Sequence, residues 1–69
     1  MSAMPNPAEY PAVIFVDGVE HILCTPTDNA RHLFDLTVQH EGGEVALVEW
    51  KPRHGIWLRS SLSITASKT

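Results

Sequence analysis

Two runs rich in β-branched and aromatic residues, Ala12–Val16 (AVIFV) and Val19–Cys24 (VEHILC), are separated by only Asp17 and Gly18. A two-residue connection between strands calls for a type I′ turn. Both central residues then take positive φ, and Asp-Gly is among the few pairs that tolerate this. A β-hairpin is therefore the first commitment of the fold, and the rest of the chain must cover it.

The stretch TPTDNARHLFDLTVQHEGG follows. Its pattern predicts one helix, with Thr25 as N-cap, Pro26 at the first helical position and Asp28 near the free N–H groups. Ala30, Leu33, Phe34, Thr37 and Val38 recur at helical spacing and form the inward face, with Asp28, Arg31, His32, Asp35 and Gln39 opposite. Gly42 and Gly43 end it. A helix of that extent is about 24 Å long, enough to cross a small sheet.

Two more β-type runs, EVALVEW and GIWLRSSLSI, are joined by KPRHG. A proline early and a glycine at the end of a short turn fit a type I turn that closes in left-handed geometry. The expected architecture is α+β: a ββαββ domain with a four-stranded antiparallel sheet and one helix packed on one face. Residues 1–11, which hold Pro5, Pro7 and Pro11, read as a flexible leader. Residues 12–64 read as the single domain and residues 65–69 as a flexible tail.

One helix covers only one face of a sheet, so the composition of the other face matters. Simple alternation puts Ile14, Val16, Val19, His21 and Leu23 on one face of the first hairpin. Val13, Phe15, Glu20, Ile22 and Cys24 fall on the other, and neither set is polar. In the second hairpin the favoured register sets Lys51 opposite Ile56 and Trp50 opposite Trp57. Ala46, Val48 and Arg59 then join the tryptophan face, while Val45, Leu47, Ile56, Leu58 and Leu62 form the aliphatic side. The alternative register, with Trp50 opposite Ile56, would make Ala46, Val48, Trp50, Ile56 and Leu58 core. Trp57 and Arg59 stay together in both.

The chain has 69 residues and a net charge of −3. That charge is unevenly spread: eight acids against Arg31 alone give −7 up to Glu49, and Lys51, Arg53, Arg59 and Lys68 give +4 from Trp50 onward. Such a split orients a partner or a second copy of the chain. A domain this short buries a modest core, and its single cysteine, Cys24, allows no internal disulfide. The N-terminal residues lack the pattern of a signal peptide, no apolar run reaches membrane-span length, and the expected location is cytoplasmic.

Catalytic and cofactor chemistry finds little purchase. His21 and Cys24 are spaced as a potential metal pair, but three positions apart on a regular strand they diverge, and His32, His40 and His54 do not complete a ligand set. No metal or other cofactor is expected. Cys24 near a helix start would favour a thiolate, yet no base or oxyanion loop accompanies it. No glycine-rich phosphate loop precedes the helix. The chain is too small to wall off a typical substrate pocket, so an enzyme is expected only if a site forms between subunits.

What remains is binding. Trp50, Lys51, Arg53, His54, Trp57 and Arg59 are the candidate contact surface, the aromatics supplying affinity and the cations orientation. The acidic helix residues Asp28, Asp35 and Glu41 are a secondary candidate. The expected function is a small non-enzymatic module that binds a protein partner, of the inhibitor or accessory-subunit type, and acts as a homodimer. The competing reading is a nucleic-acid-binding module using the same hairpin, disfavoured by the overall negative charge.

Overall fold

The computed structural model of the protein describes residues 4–65. The elements run β1 (Ala12–Val16), β2 (Val19–Cys24), α1 (Ala30–Glu41), β3 (Glu44–Lys51) and β4 (Ile56–Ile64). The four strands form one antiparallel sheet in the order β2-β1-β3-β4, and the helix packs on the two central strands, β1 and β3. This is the ββαββ arrangement anticipated from the pattern of runs and turns. The first three residues of the expected leader, and the tail from residue 66, lie outside the described residues.

The β1–β2 turn takes the expected form. Asp17 has φ 51° and Gly18 φ 81°, the paired positive values of a type I′ turn. Asp17 has a second role. Its Oδ1 accepts the Glu44 N–H at 3.1 Å, and its own N–H donates to the Glu44 carbonyl at 2.8 Å, so the turn is tied to the start of β3. Gly43 sits beside this tie at φ 72°, where an added Cβ would lie 2.9 Å from Asp17 Oδ1. A side chain at that position is disfavoured twice, by backbone conformation and by the close Asp17 carboxylate.

The helix begins later than its sequence suggests. Asn29, rather than Thr25, is the N-cap, and its Oδ1 accepts the His32 N–H at 3.1 Å. The reason is local. Asp28 Oδ2 accepts the Thr25 N–H at 3.0 Å and the Asp28 N–H donates to the Thr25 carbonyl at 3.1 Å, which closes a separate turn around Pro26. The helix therefore has 12 residues, and is about 18 Å long rather than 24.

Its inward face is the expected one. Phe34 and Thr37 are buried, and Ala30, Leu33 and Val38 pack on a core of Ala12, Ile14, Cys24, Val45 and Leu47. Thr37 reconciles its hydroxyl with burial by donating to the Leu33 carbonyl at 2.7 Å.

Two β-bulges rearrange the faces that simple alternation assigns. In the first hairpin Ile14 pairs with Ile22 but Phe15 pairs with Glu20, so His21 is an extra residue in β2. Ile22 and Cys24 thereby join Ile14 under the helix, while Leu23 moves beside Val13 on the reverse face. In the second hairpin Val48 pairs with Arg59 and Leu47 with Ser61, leaving Ser60 extra in β4. Leu62, expected on the aliphatic side, pairs with Ala46 on the reverse face instead, and Ser61 and Ser63 take the helix side. The hydrogen bond from Arg31 Nη1 to Ser61 Oγ, 2.8 Å, reaches across from the helix to that side.

Candidate partner-binding face

The β3–β4 hairpin adopts the favoured register: Lys51 pairs with Ile56 and Trp50 with Trp57. Its four-residue loop is closed by His54 and Gly55 N–H groups donating to the Lys51 carbonyl at 3.0 and 2.8 Å, with Gly55 at φ 64°. The register decides where the indoles lie. Trp50 and Trp57 are cross-strand neighbours on the reverse face, with ring centroids 5.4 Å apart and planes at 63°. An edge-to-face pair of this kind adds about 0.5–1.5 kcal/mol beyond the area it buries.

Both indoles are half-buried, and neither belongs to the helix-side core. Arg59 lies on the same face, one pleat along β4, and is exposed. By register Val13, Phe15, Leu23, Ala46, Val48, Leu62 and Ile64 lie on that face too, with Glu20 beside Phe15 and Glu44 beside Ile64 toward its other end. Val13 is fully buried there, between Leu23 on β2 and Val48 on β3. Pro11 extends the β1–β3 pairing by one step, its carbonyl accepting the Trp50 N–H at 2.8 Å.

The other members of the candidate surface divide. Lys51 lies on the opposite, helix side of β3, where its Nζ meets Glu49 Oε1 at 3.5 Å. The same period-two alternation that brings the tryptophans together carries Lys51 away from them. Arg53 and His54 project from the loop tip and are exposed. Trp50, Trp57 and Arg59 are thus one contiguous group, with Arg53 and His54 at its end.

The acidic residues do not gather. Asp28 is used in the turn before the helix, Asp35 is exposed at mid-helix, and Glu41 lies at the far end, its Oε2 3.8 Å from His21 Nε2.

The β2 bulge changes the reasoning about His21 and Cys24, though not their separation. Both lie on the helix side of the sheet rather than on opposite faces. His21 is exposed near Glu41, while Cys24 is completely buried at the other end of the strand. With Asn29 as N-cap the helix starts at Ala30, so Cys24 no longer directly precedes it in the chain. Burial, and secondarily the Asp28 carboxylate, push its thiol above the ordinary value of 9.0, so it keeps its proton at neutral pH. Among the described residues no three His, Cys, Asp or Glu side chains come together as a metal site, and no helix is long and apolar enough to cross a membrane.

The residues least apparent from sequence are the exposed aliphatics of β4. Ile56 and Leu58 extend the helix side beyond the helix, and Leu62 and Ile64 extend the reverse face. Comparison of the chain with protein families, with curated proteins and with solved structures finds no match. The site has to be read from its own geometry.

Proposed function

We propose that this protein is a small, non-enzymatic binding module that docks a protein partner on the reverse face of its sheet, as an inhibitor or accessory subunit does. The observation that carries this reading is the half-exposed Trp50–Trp57 pair with Arg59 beside it, on the face that the helix leaves uncovered. Tryptophan and arginine are the residue types most enriched among energetically dominant interface contacts. The surrounding Phe15, Leu23, Val48 and Leu62 supply apolar area.

A nucleic-acid ligand is less well served. Lys51 is on the wrong side and is paired with Glu49, which among the described residues leaves Arg59 and the loop-tip Arg53 as the cations near the indoles. Phosphate-driven binding draws on several such charges. The buried, protonated Cys24 is unsuited to nucleophilic chemistry and supports a non-catalytic role. The working location in this reading is the cytoplasm, and the functional form is a dimer.

The test is a comparison of the wild type with the double variant Trp57→Ala/Arg59→Ala, each used as bait against extract of the native host. The expected result is a specific protein retained by the wild type and lost by a variant with unchanged circular dichroism. Collapse of the variant's fold would show that the indole is core rather than contact. Capture of nucleic acid in place of protein at low salt would overturn the reading in favour of the other ligand class.

A further inference from the structure

β4 is the last strand of the sheet, and among the described residues nothing pairs with its outer side. Its nine residues span about 30 Å, a row of backbone donors and acceptors long enough to template another strand. Edge strands are ordinarily blunted by charges, proline or shortness. β4 carries one charge, Arg59, and no proline. It also holds four of the seven exposed large aliphatics among the described residues: Ile56, Leu58, Leu62 and Ile64, the last 70% exposed.

We infer that the occupant of this edge is β4 of a second copy, running antiparallel about a two-fold axis near Ser60, so that two sheets join into one of eight strands. The Ser60 bulge divides β4 into residues 56–59 and 61–64. About an axis near Ser60, each half pairs with the opposite half of the other copy. Residues facing one another across antiparallel strands share a sheet face. Trp57 and Arg59 of one copy therefore stand beside Leu62 and Ile64 of the other, and the indole and the arginine stem cover those aliphatics. The bulge interrupts pairing only at the axis.

Charge selects a second copy over a foreign strand. The hairpin end of the sheet carries Arg53 at its tip, whereas the opposite end carries Glu44 on β3, the strand next to β4. Antiparallel pairing sets the basic tip of each copy against the acidic end of the other, and the two-fold axis repeats the match. A one-strand interface of this kind belongs with the smaller, weaker contacts rather than with standard complexes of roughly 800 Å² per partner, and the association expected is weak and reversible. The inference does not rest on the proposed protein ligand, because the chain alone suffices to test it.

Sedimentation equilibrium from about 1 µM to about 1 mM should show a monomer–dimer equilibrium. Leu58→Lys/Leu62→Lys places charges on the edge and should weaken association at least about tenfold, while Leu23→Lys on β2 leaves it unchanged. Should the lysine variant fail to fold, a charge cycle carries the test. Arg53→Glu and Glu44→Lys should each weaken the dimer, and both together in one chain should restore it, because each swapped tip then meets a swapped end. A wild type that stays monomeric throughout overturns the inference. So does a dimer indifferent to folded β4 lysine variants, or a charge cycle in which the combined variant is no stronger than the single ones.

Discussion

β2 and β4 are the two outer strands of one sheet, and each contains one bulge, yet their surroundings differ. β2 has six residues, two of them Glu20 and His21, and His21 is the residue its bulge adds. One end of β2 is closed by the type I′ turn and by the Asp17 tie to Glu44; the other ends in Cys24, sealed under the helix. β4 is longer, nearly uncharged and, among the described residues, paired with β3 alone, and its bulge brings Leu62 and Ile64 round to the tryptophan face. The same backbone device therefore differs in what it places under the helix. Each added residue, His21 or Ser60, is polar, and each bulge turns apolar residues to the reverse face, Leu23 in β2 and Leu62 with Ile64 in β4. In β2 it also seats Ile22 and Cys24 against the helix-side core, whereas in β4 the helix-side positions it fills are Ser61 and Ser63. A bulge blunts an edge only when the side chains it redirects are ones that water accepts.

The sharpest way to break this comparison is to cut one isoleucine from the centre of the sheet and one from the β4 edge. Ile14 is fully buried, so Ile14→Ala should cost about 2–5 kcal/mol in urea unfolding and leave a domain of this size with little or no stability. Ile56 is 45% exposed, and Ile56→Ala should cost less than about 1 kcal/mol when measured at concentrations where the chain is monomeric. Equal losses would mean that β4 is enclosed as firmly as β1, and the contrast between the edges would vanish.

A smaller effect tests how β2 is anchored. Gly43→Ala forces a side chain into left-handed backbone geometry and against Asp17, and should lower stability by about 1–2 kcal/mol. In an Asp17→Ala background the added methyl meets no carboxylate, so the cost of the same change should shrink. An identical cost in both backgrounds would sever the link between the first turn and β3.

The least change concerns the buried end of β2. The folded thiol of Cys24 ionises above its ordinary value of 9.0. Below that value the group makes stability no more dependent on pH. Above it the unfolded chain loses the proton first, so stability falls as pH rises, until the folded thiol ionises as well. Thermal unfolding followed from about pH 8 to about pH 10.5 should show a steeper decline for the wild type than for Cys24→Ala. Parallel curves would place the thiol in water rather than under the helix.

Much of the architecture is legible in the amino acids themselves. Asp17-Gly18 dictates its hairpin because the φ requirement is local, and the spacing of Ala30, Leu33, Phe34, Thr37 and Val38 marks the inward helix face because the helical period is local too. The pairing of Trp50 with Trp57 follows from the length of the loop between Lys51 and Ile56. The helix start was within reach but obscured: Thr25 and Asn29 are both good caps, and only the Asp28–Thr25 turn resolves the competition. Part of the candidate surface, Trp57 with Arg59, is likewise apparent from alternation, and the same alternation separates Lys51 from Trp50.

The two bulges were not legible. Nothing in VEHILC or GIWLRSSLSI distinguishes a regular strand from one with an added residue, because a bulge is settled by what the neighbouring strand offers at each pleat and by which side chains the helix can cover. Strand order and the extent of helix coverage belong to the same category. From its own residues, then, the chain determines its elements, their sequence and the chemistry available on β3 and β4, all through interactions reaching only a few positions. The tertiary structure alone decides that Cys24 and Ile22 go under the helix and that Leu62 and Ile64 join the tryptophans. Among the described residues it also leaves β4 bare on its outer side, since pairing and burial are compared between segments far apart in sequence and only the folded sheet sets them side by side.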